Sequence, residues 1–304
     1  MLMNRDRILN VTTRLLLPFC LMLLVAFIVR PQDSSDSRSI PHGDTTALLA
    51  EADSALSAGR LEEVYEILLA GLDTAGNEES VAILWRLSKA AFLRATRHKA
   101  RYEAGERNPD GSRITKGDVI DSFGRGVRFG TRAVSLYETY GAGAEDAYLA
   151  YYWRGTNIGQ QGNVRGLLAS LFAIDEIRSD MEKAIALEPS FPDPHFVLCQ
   201  MYTRVPGWSR EAAVEYGRTA LELHEERVRR GEDEWDPEFA IILSGALTAL
   251  ARGKRGRKDA LLSEAVELLI ECREHVRTDI RLDEETRSAR LERIHAYLAD
   301  AGRE

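Results

Sequence analysis

MEKAIALEPSFPDPHFVLCQMYTRVPGWSREAAVEYGRTALEL, residues 181–223, decides the fold. Its apolar and small residues recur at spacings of three and four, the period of a helix with one buried face. Pro189 stands five residues after Ala184, where a ring without an amide hydrogen stops a helix. Beyond it Leu198, Cys199 and Tyr202 share one face of a helix expected over Asp193–Arg204. Gly207 marks a turn, and Ala212, Ala213, Tyr216 and Ala220 line a second helix over Arg210–Val228. Two amphipathic helices joined by a short glycine turn form a helical hairpin. Ala184, Pro189, Leu198, Cys199, Tyr202, Gly207, Ala213, Tyr216 and Ala220 are the expected packing residues, with Cys199 a small contact and no nucleophile.

The same pattern extends in both directions. Upstream, Ala47–Leu56 and Leu61–Leu72 flank the Gly59-Arg60 turn. Glu78–Ala104 pairs with Asp118–Tyr140 across an Asn108-Pro109-Asp110-Gly111 turn, and Glu145–Gln160 pairs with Val164–Leu187 across a bend at Gly159–Gly162. Downstream, Pro237–Ala251 pairs with Asp259–Val276, and Asp283–Asp300 closes the end. No stretch after Asp44 alternates with period two, so no strand is expected.

Repeated helical hairpins carrying these residues resemble the tetratricopeptide-repeat proteins. The likeness is strongest over Met181–Leu223, where Leu198, Cys199 and Tyr202 stand at the spacing of the family's Leu, Gly and Tyr. It implies an all-α, right-handed solenoid over Asp44–Gly302 whose concave groove binds a protein partner. A narrower likeness covers Tyr148–Leu223, from Tyr152-Trp153 through a long helix to Pro206-Gly207. That order resembles the extracytoplasmic T-component proteins of tripartite periplasmic (TRAP) transporters. It implies an accessory role in which a small apolar ligand is handled together with a solute-binding partner.

Arg5, Arg7 and Arg14 precede Leu15–Val29, fifteen residues without a charge. A basic stretch followed by an apolar run directs a chain to a membrane, and the basic excess keeps the N-terminus in the cytoplasm. Residues 1–30 are expected to form a single-pass anchor with the body outside the cytoplasm, in the periplasm. The alternative is a cleaved signal that leaves a soluble periplasmic protein. Cys20 has Leu17-Pro18-Phe19 before it and apolar residues after it, so it lacks the small-residue box of a lipidated cysteine. Residues 31–43 are polar and serine-rich, a flexible tether, and 44–304 form the helical domain.

Forty Lys+Arg against forty-eight Asp+Glu give a net charge of −8, which argues against a chain-wide nucleic-acid binder. Three cysteines cannot form a disulfide framework, and neither they nor the six histidines have metal-ligand spacing. No Gly-x-Ser-x-Gly or phosphate loop is present, so neither a reaction nor a cofactor is expected. Gly124-Arg-Gly126-Val-Arg-Phe-Gly130 follows no strand and reads as close helix packing.

Two sets of binding residues stand out. Tyr148, Tyr151, Tyr152 and Trp153 crowd one short helix, with Arg154 and Asn157 beside them, more aromatic surface than one seam needs. With His195, at a groove position of the repeat, they are the candidate groove or ligand-binding residues. Arg252, Lys254, Arg255, Arg257 and Lys258 form a basic loop suited to an acidic partner or anionic lipid.

Overall fold

The structure, a computed structural model, describes residues 45–253, 256 and 258–302. The expected anchor (1–30) and tether (31–43), and Lys254, Arg255 and Arg257 of the basic loop, lie outside the described residues. The described chain is all-α. Its helices are α1 (Thr45–Ser57), α2 (Leu61–Leu72), α3 (Asn77–Glu103), α4 (Lys116–Tyr140), α5 (Ala144–Arg165), α6 (Leu167–Leu187), α7 (Pro192–Arg204), α8 (Arg210–Arg229), α9 (Glu238–Ala251), α10 (Lys258–Thr278) and α11 (Glu284–Gly302). Among the described residues there is no strand, only an isolated bridge between Arg107 and Arg113.

Local chemistry sets the boundaries. Thr115 opens α4 with a capping box: its Oγ1 accepts from the Asp118 amide while the Asp118 carboxylate accepts from the Thr115 amide. Ser209 caps α8 by accepting from the Ala212 amide at 3.1 Å. Pro192 is the first residue of α7, where its missing N–H leaves nothing unpaired. Gly59 and Gly207 turn the chain at φ +72° and +83°, a region closed to most side chains.

The bend expected at Gly159–Gly162 is absent. α5 stays helical through Arg165, and Gly166, at φ +119°, ends it. Gly162 serves a contact instead, since a Cβ there would stand 3.2 Å from Ser170 Cα. A glycine needed for close approach and one needed for a turn look the same in a sequence.

The described residues fall into two compact units, divided between residues 177 and 178 inside α6. In the first unit α1 packs on α2, α2 on α3, and α5 lies against both α3 and α4. Phe92, Ala95, Ile114, Val119 and Phe123 form a core there, with Leu93, Trp153 and Val164 against it. The α4–α5 seam is close. A Cβ on Gly130 would stand 2.9 Å from Arg154 Cα, so the expected packing role of the glycine run holds. In the second unit α7 pairs with α8 and α9 with α10, α9 touches α7, α8 and α11, and α10 also meets α11. Its core comprises Ala240, Ile241, Leu269, Cys272, Val276 and Ile294.

Both described cysteines are buried packing groups. Cys199 Sγ lies 2.9 Å from where a Gly217 Cβ would stand, and burial pushes both the Cys199 and Cys272 thiols up to about 12. A buried thiol held neutral is a poor nucleophile. Neither is expected to take a maleimide at neutral pH in the folded protein, and both should label after unfolding. Mass mapping of the labelled peptides checks this, and rapid native labelling of Cys199 would contradict it.

Candidate functional site

The first unit contains an open cleft of about 860 Å³ lined by residues of the α1–α2 turn, α2, α3 and α4 and by Asn108. The Gly59 turn presents Arg60, whose guanidinium pairs with Glu63 at 2.5 Å. Arg94, Arg97, His98 and Arg101 recur at helical spacing on α3, and Ser122 and Arg125 face the same space from α4. Tyr65 forms part of the wall, with the Arg94 guanidinium 5.5 Å above its ring. Burial pushes the Tyr65 hydroxyl up to about 12, so it stays a neutral donor.

Five arginines and two glutamates, Glu62 and Glu63, line this cleft, an excess of positive charge in a chain of net charge −8. Arg94 pairs with Glu62 at 3.1 Å and Arg101 with Glu106 at 2.9 Å. Arg97 donates to the Gly59 carbonyl at 3.2 Å, and neither it nor Arg125 has a carboxylate partner among the described residues. Guanidinium groups present a planar fork of donors that matches carboxylate and phosphate oxygens.

His98 adds an acceptor to the cleft. Its Nδ1 lies 3.0 Å from Ser122 Oγ, and the Ser122 hydroxyl donates to the Asp118 carbonyl at 2.8 Å. While the Ser122 hydroxyl donates to that carbonyl, it accepts from Nδ1–H, and in this tautomer Nε2 carries the lone pair. Burial lowers the His98 pKa; Arg101, Arg94 and Arg125 push it the same way, and Asp118 opposes them. His98 is therefore neutral at pH 7. In that tautomer its bond to Ser122 runs opposite to the one a general base makes with a nucleophile. No cluster of His, Cys, Asp or Glu suited to a metal ion occurs among the described residues.

The sequence-predicted groove residues lie elsewhere. Tyr151 is buried and donates its hydroxyl to Glu138 on α4 at 2.8 Å; burial and that carboxylate hold its pKa far above the usual value. The Arg154 guanidinium sits 5.6 Å over the Tyr151 ring. Trp153 packs on Phe92 of α3 at 5.5 Å and on Tyr152 at 5.0 Å. Asn157 is fully buried, and its amide donates to the Ser88 carbonyl at 3.1 Å and the Trp153 carbonyl at 2.9 Å. Tyr148 and Tyr152 are half-buried on the same helix. These six residues thus share α5, and Tyr151, Trp153 and Asn157 are engaged in its seams with α3 and α4. None of them lines the cleft.

In the second unit His195 is half-buried on α7, its ring 6.0 Å from Tyr216, and burial lowers its pKa. The packing residues Ala184, Leu198, Cys199, Ala213 and Ala220 are buried. Tyr202 and Tyr216 are half-buried, with ring centroids 5.4 Å apart, and Trp208 caps Tyr202 at 4.4 Å. Pro189 is exposed just beyond the end of α6, and Gly207 makes the turn. Of the basic loop, Arg252 pairs with Asp300 at 2.8 Å and Lys258 begins α10.

The cleft itself went unread in the sequence. One signal was available: Arg94, Arg97, His98 and Arg101 put four basic side chains on one helix face within two turns. No protein-family model matches the chain and no curated protein matches it, so its family is not assigned and the cleft's chemistry rests on its own geometry.

Proposed function

We propose that the chain is a membrane-tethered, extracytoplasmic scaffold of the tetratricopeptide type, a right-handed solenoid of helical hairpins that holds another protein. The observation that carries this reading is the open, arginine-lined cleft beside the first hairpin. Helical hairpins stacked on their neighbours leave such recesses between adjacent helices. Paired helices with short turns, α1 with α2 and α7 with α8, support the repeat reading. No residue set in the cleft proposes a reaction, so binding is the activity assigned to it.

The tether is read from the sequence. Among the described residues no helix is long and apolar enough to cross a membrane, and Leu15–Val29 lies outside them. A reporter fused after Arg38 is expected to be active only outside the cytoplasm, and cytoplasmic activity would overturn the topology. The transporter-accessory alternative calls for a ligand cavity beside Tyr148–Asn157. Tyr151, Trp153 and Asn157 instead spend their surface on α3 and α4, which favours the scaffold.

A further inference from the structure

We infer that the cleft takes an acidic, extended segment of a partner protein, an assignment that rests on the scaffold reading and specifies its ligand. Charge is the first ground. The lining carries three more guanidinium groups than carboxylates, although the chain as a whole is acidic. Arg97 and Arg125 face the cleft without a carboxylate partner among the described residues. The carboxylates paired with Arg94 and Arg101, Glu62 and Glu106, are 71% and 54% exposed, and Arg101 also donates to the Arg107 carbonyl at 2.6 Å. Exposed ion pairs hold little free energy, so an incoming carboxylate can replace them at small cost.

Shape is the second ground. Arg94 and Arg101 are two helical turns apart, a rise of about 10.5 Å along α3. An extended chain advances about 3.3 Å per residue with side chains alternating, so carboxylates two and four positions apart share one face and lie about 6.6 and about 13 Å apart, which brackets that row. A space of about 860 Å³ suits a short peptide better than a single small anion. The third ground is polarity: in the tautomer that donates from Nδ1 to Ser122, Nε2 of His98 is an acceptor for a backbone N–H, which a peptide has and a phosphate chain lacks.

The test uses the full-length chain and a fluorescent peptide of about ten alternating Glu and Ala residues, with a Gln–Ala peptide as control. Fluorescence anisotropy should show saturable binding of the acidic peptide only, weakening as salt rises from about 50 to about 300 mM. The double reversal Arg97→Glu/Arg125→Glu should weaken it about tenfold or more. Arg218→Glu, at an exposed residue of the second unit paired with Glu264, should leave it unchanged. Circular dichroism confirms that each variant is folded. Absent binding, equal binding of the Gln–Ala peptide, or no effect of the double reversal would overturn the assignment. Displacement of the peptide by short-chain polyphosphate at far lower concentration would also overturn it, moving the cleft to phosphate chemistry. Ser122→Trp fills the cleft while keeping every arginine. A partner protein whose capture is blocked by Ser122→Trp but unaffected by the charge reversals would keep the scaffold reading and reject the acidic segment.

Discussion

Glu238→Ala is expected to destabilise the protein by about 3–5 kcal/mol, a fall of about 10–20 °C in thermal midpoint. Glu238 opens α9 and forms an ion pair with Arg293 of α11, and both side chains are only 13% exposed. Truncation strands the Arg293 guanidinium, whose Nη2 already has no partner among the described residues, in a buried seam. The pair is also the source of a pH dependence. Burial pushes the Glu238 carboxyl from 4.5 up to about 7; Asp236 adds to the rise, while Arg293 and Arg290 oppose it. On the third helix of this seam, α10, Cys272 carries no charge because burial holds its thiol at about 12.

A carboxyl whose folded pKa lies above its unfolded value binds its proton more tightly when folded. Its stabilising contribution is complete below about 4.5 and is lost as pH rises through about 7. Up to about 3 kcal/mol should disappear across that window. Glu238→Gln keeps the shape and one acceptor for Arg293 but cannot titrate, so its stability should be flatter between pH 5 and pH 8. Thermal scans of the three proteins across that range check both statements. A Glu238→Gln protein with the same pH slope as wild type would contradict them.

Gly126→Ala is the second large effect. Alanine ordinarily stabilises a helix interior by about 1 kcal/mol over glycine. Here the new Cβ would land 2.1 Å from Asn157 Oδ1, at a seam where the Ser88 hydroxyl also donates to the Gly126 carbonyl at 2.9 Å. The clash outweighs propensity, and a net loss of about 2–3 kcal/mol is expected. Asn157→Ala alone should cost about 1–3 kcal/mol through its lost buried hydrogen bonds. The double variant should cost at least about 1 kcal/mol less than the sum, because removing the Asn157 amide makes the room that the added methyl group needs. Gly117→Ala, at an exposed position of the same helix, should be neutral or mildly stabilising. Additive costs for Gly126→Ala and Asn157→Ala would contradict the contact.

The helices were legible because their buried faces repeat within a few turns. Leu198 and Cys199, one step apart in the period, are both fully buried, and Ala213 and Ala220 lie two turns apart on the opposing helix. The glycine run of α4 was legible for the same reason: Gly126 and Gly130 stand four apart, one helical turn, and so share one face against a close neighbour. Gly159–Gly162 misled because composition cannot separate glycine that approaches a neighbour from glycine that turns the chain. The cleft draws on Arg60, three arginines of α3 and Arg125, so only the α3 stripe was local enough to read. Glu238 and Arg293 stand 55 positions apart, and nothing near either residue signals the other. The α5 aromatics drew notice by their number, yet Tyr151 and Trp153 are spent on neighbouring helices that the local pattern could not reveal.

Photo-crosslinking inside the native cell tests most directly whether this cleft holds a protein partner. A photoreactive residue at Ser122, in the cleft, is compared with one at Tyr140, which is 53% exposed on the same helix and outside it. A discrete protein adduct from position 122, absent from position 140 and lost in Arg97→Glu/Arg125→Glu, is the expected result. Adducts from position 140 with none from position 122, or the same adducts from both, would contradict it.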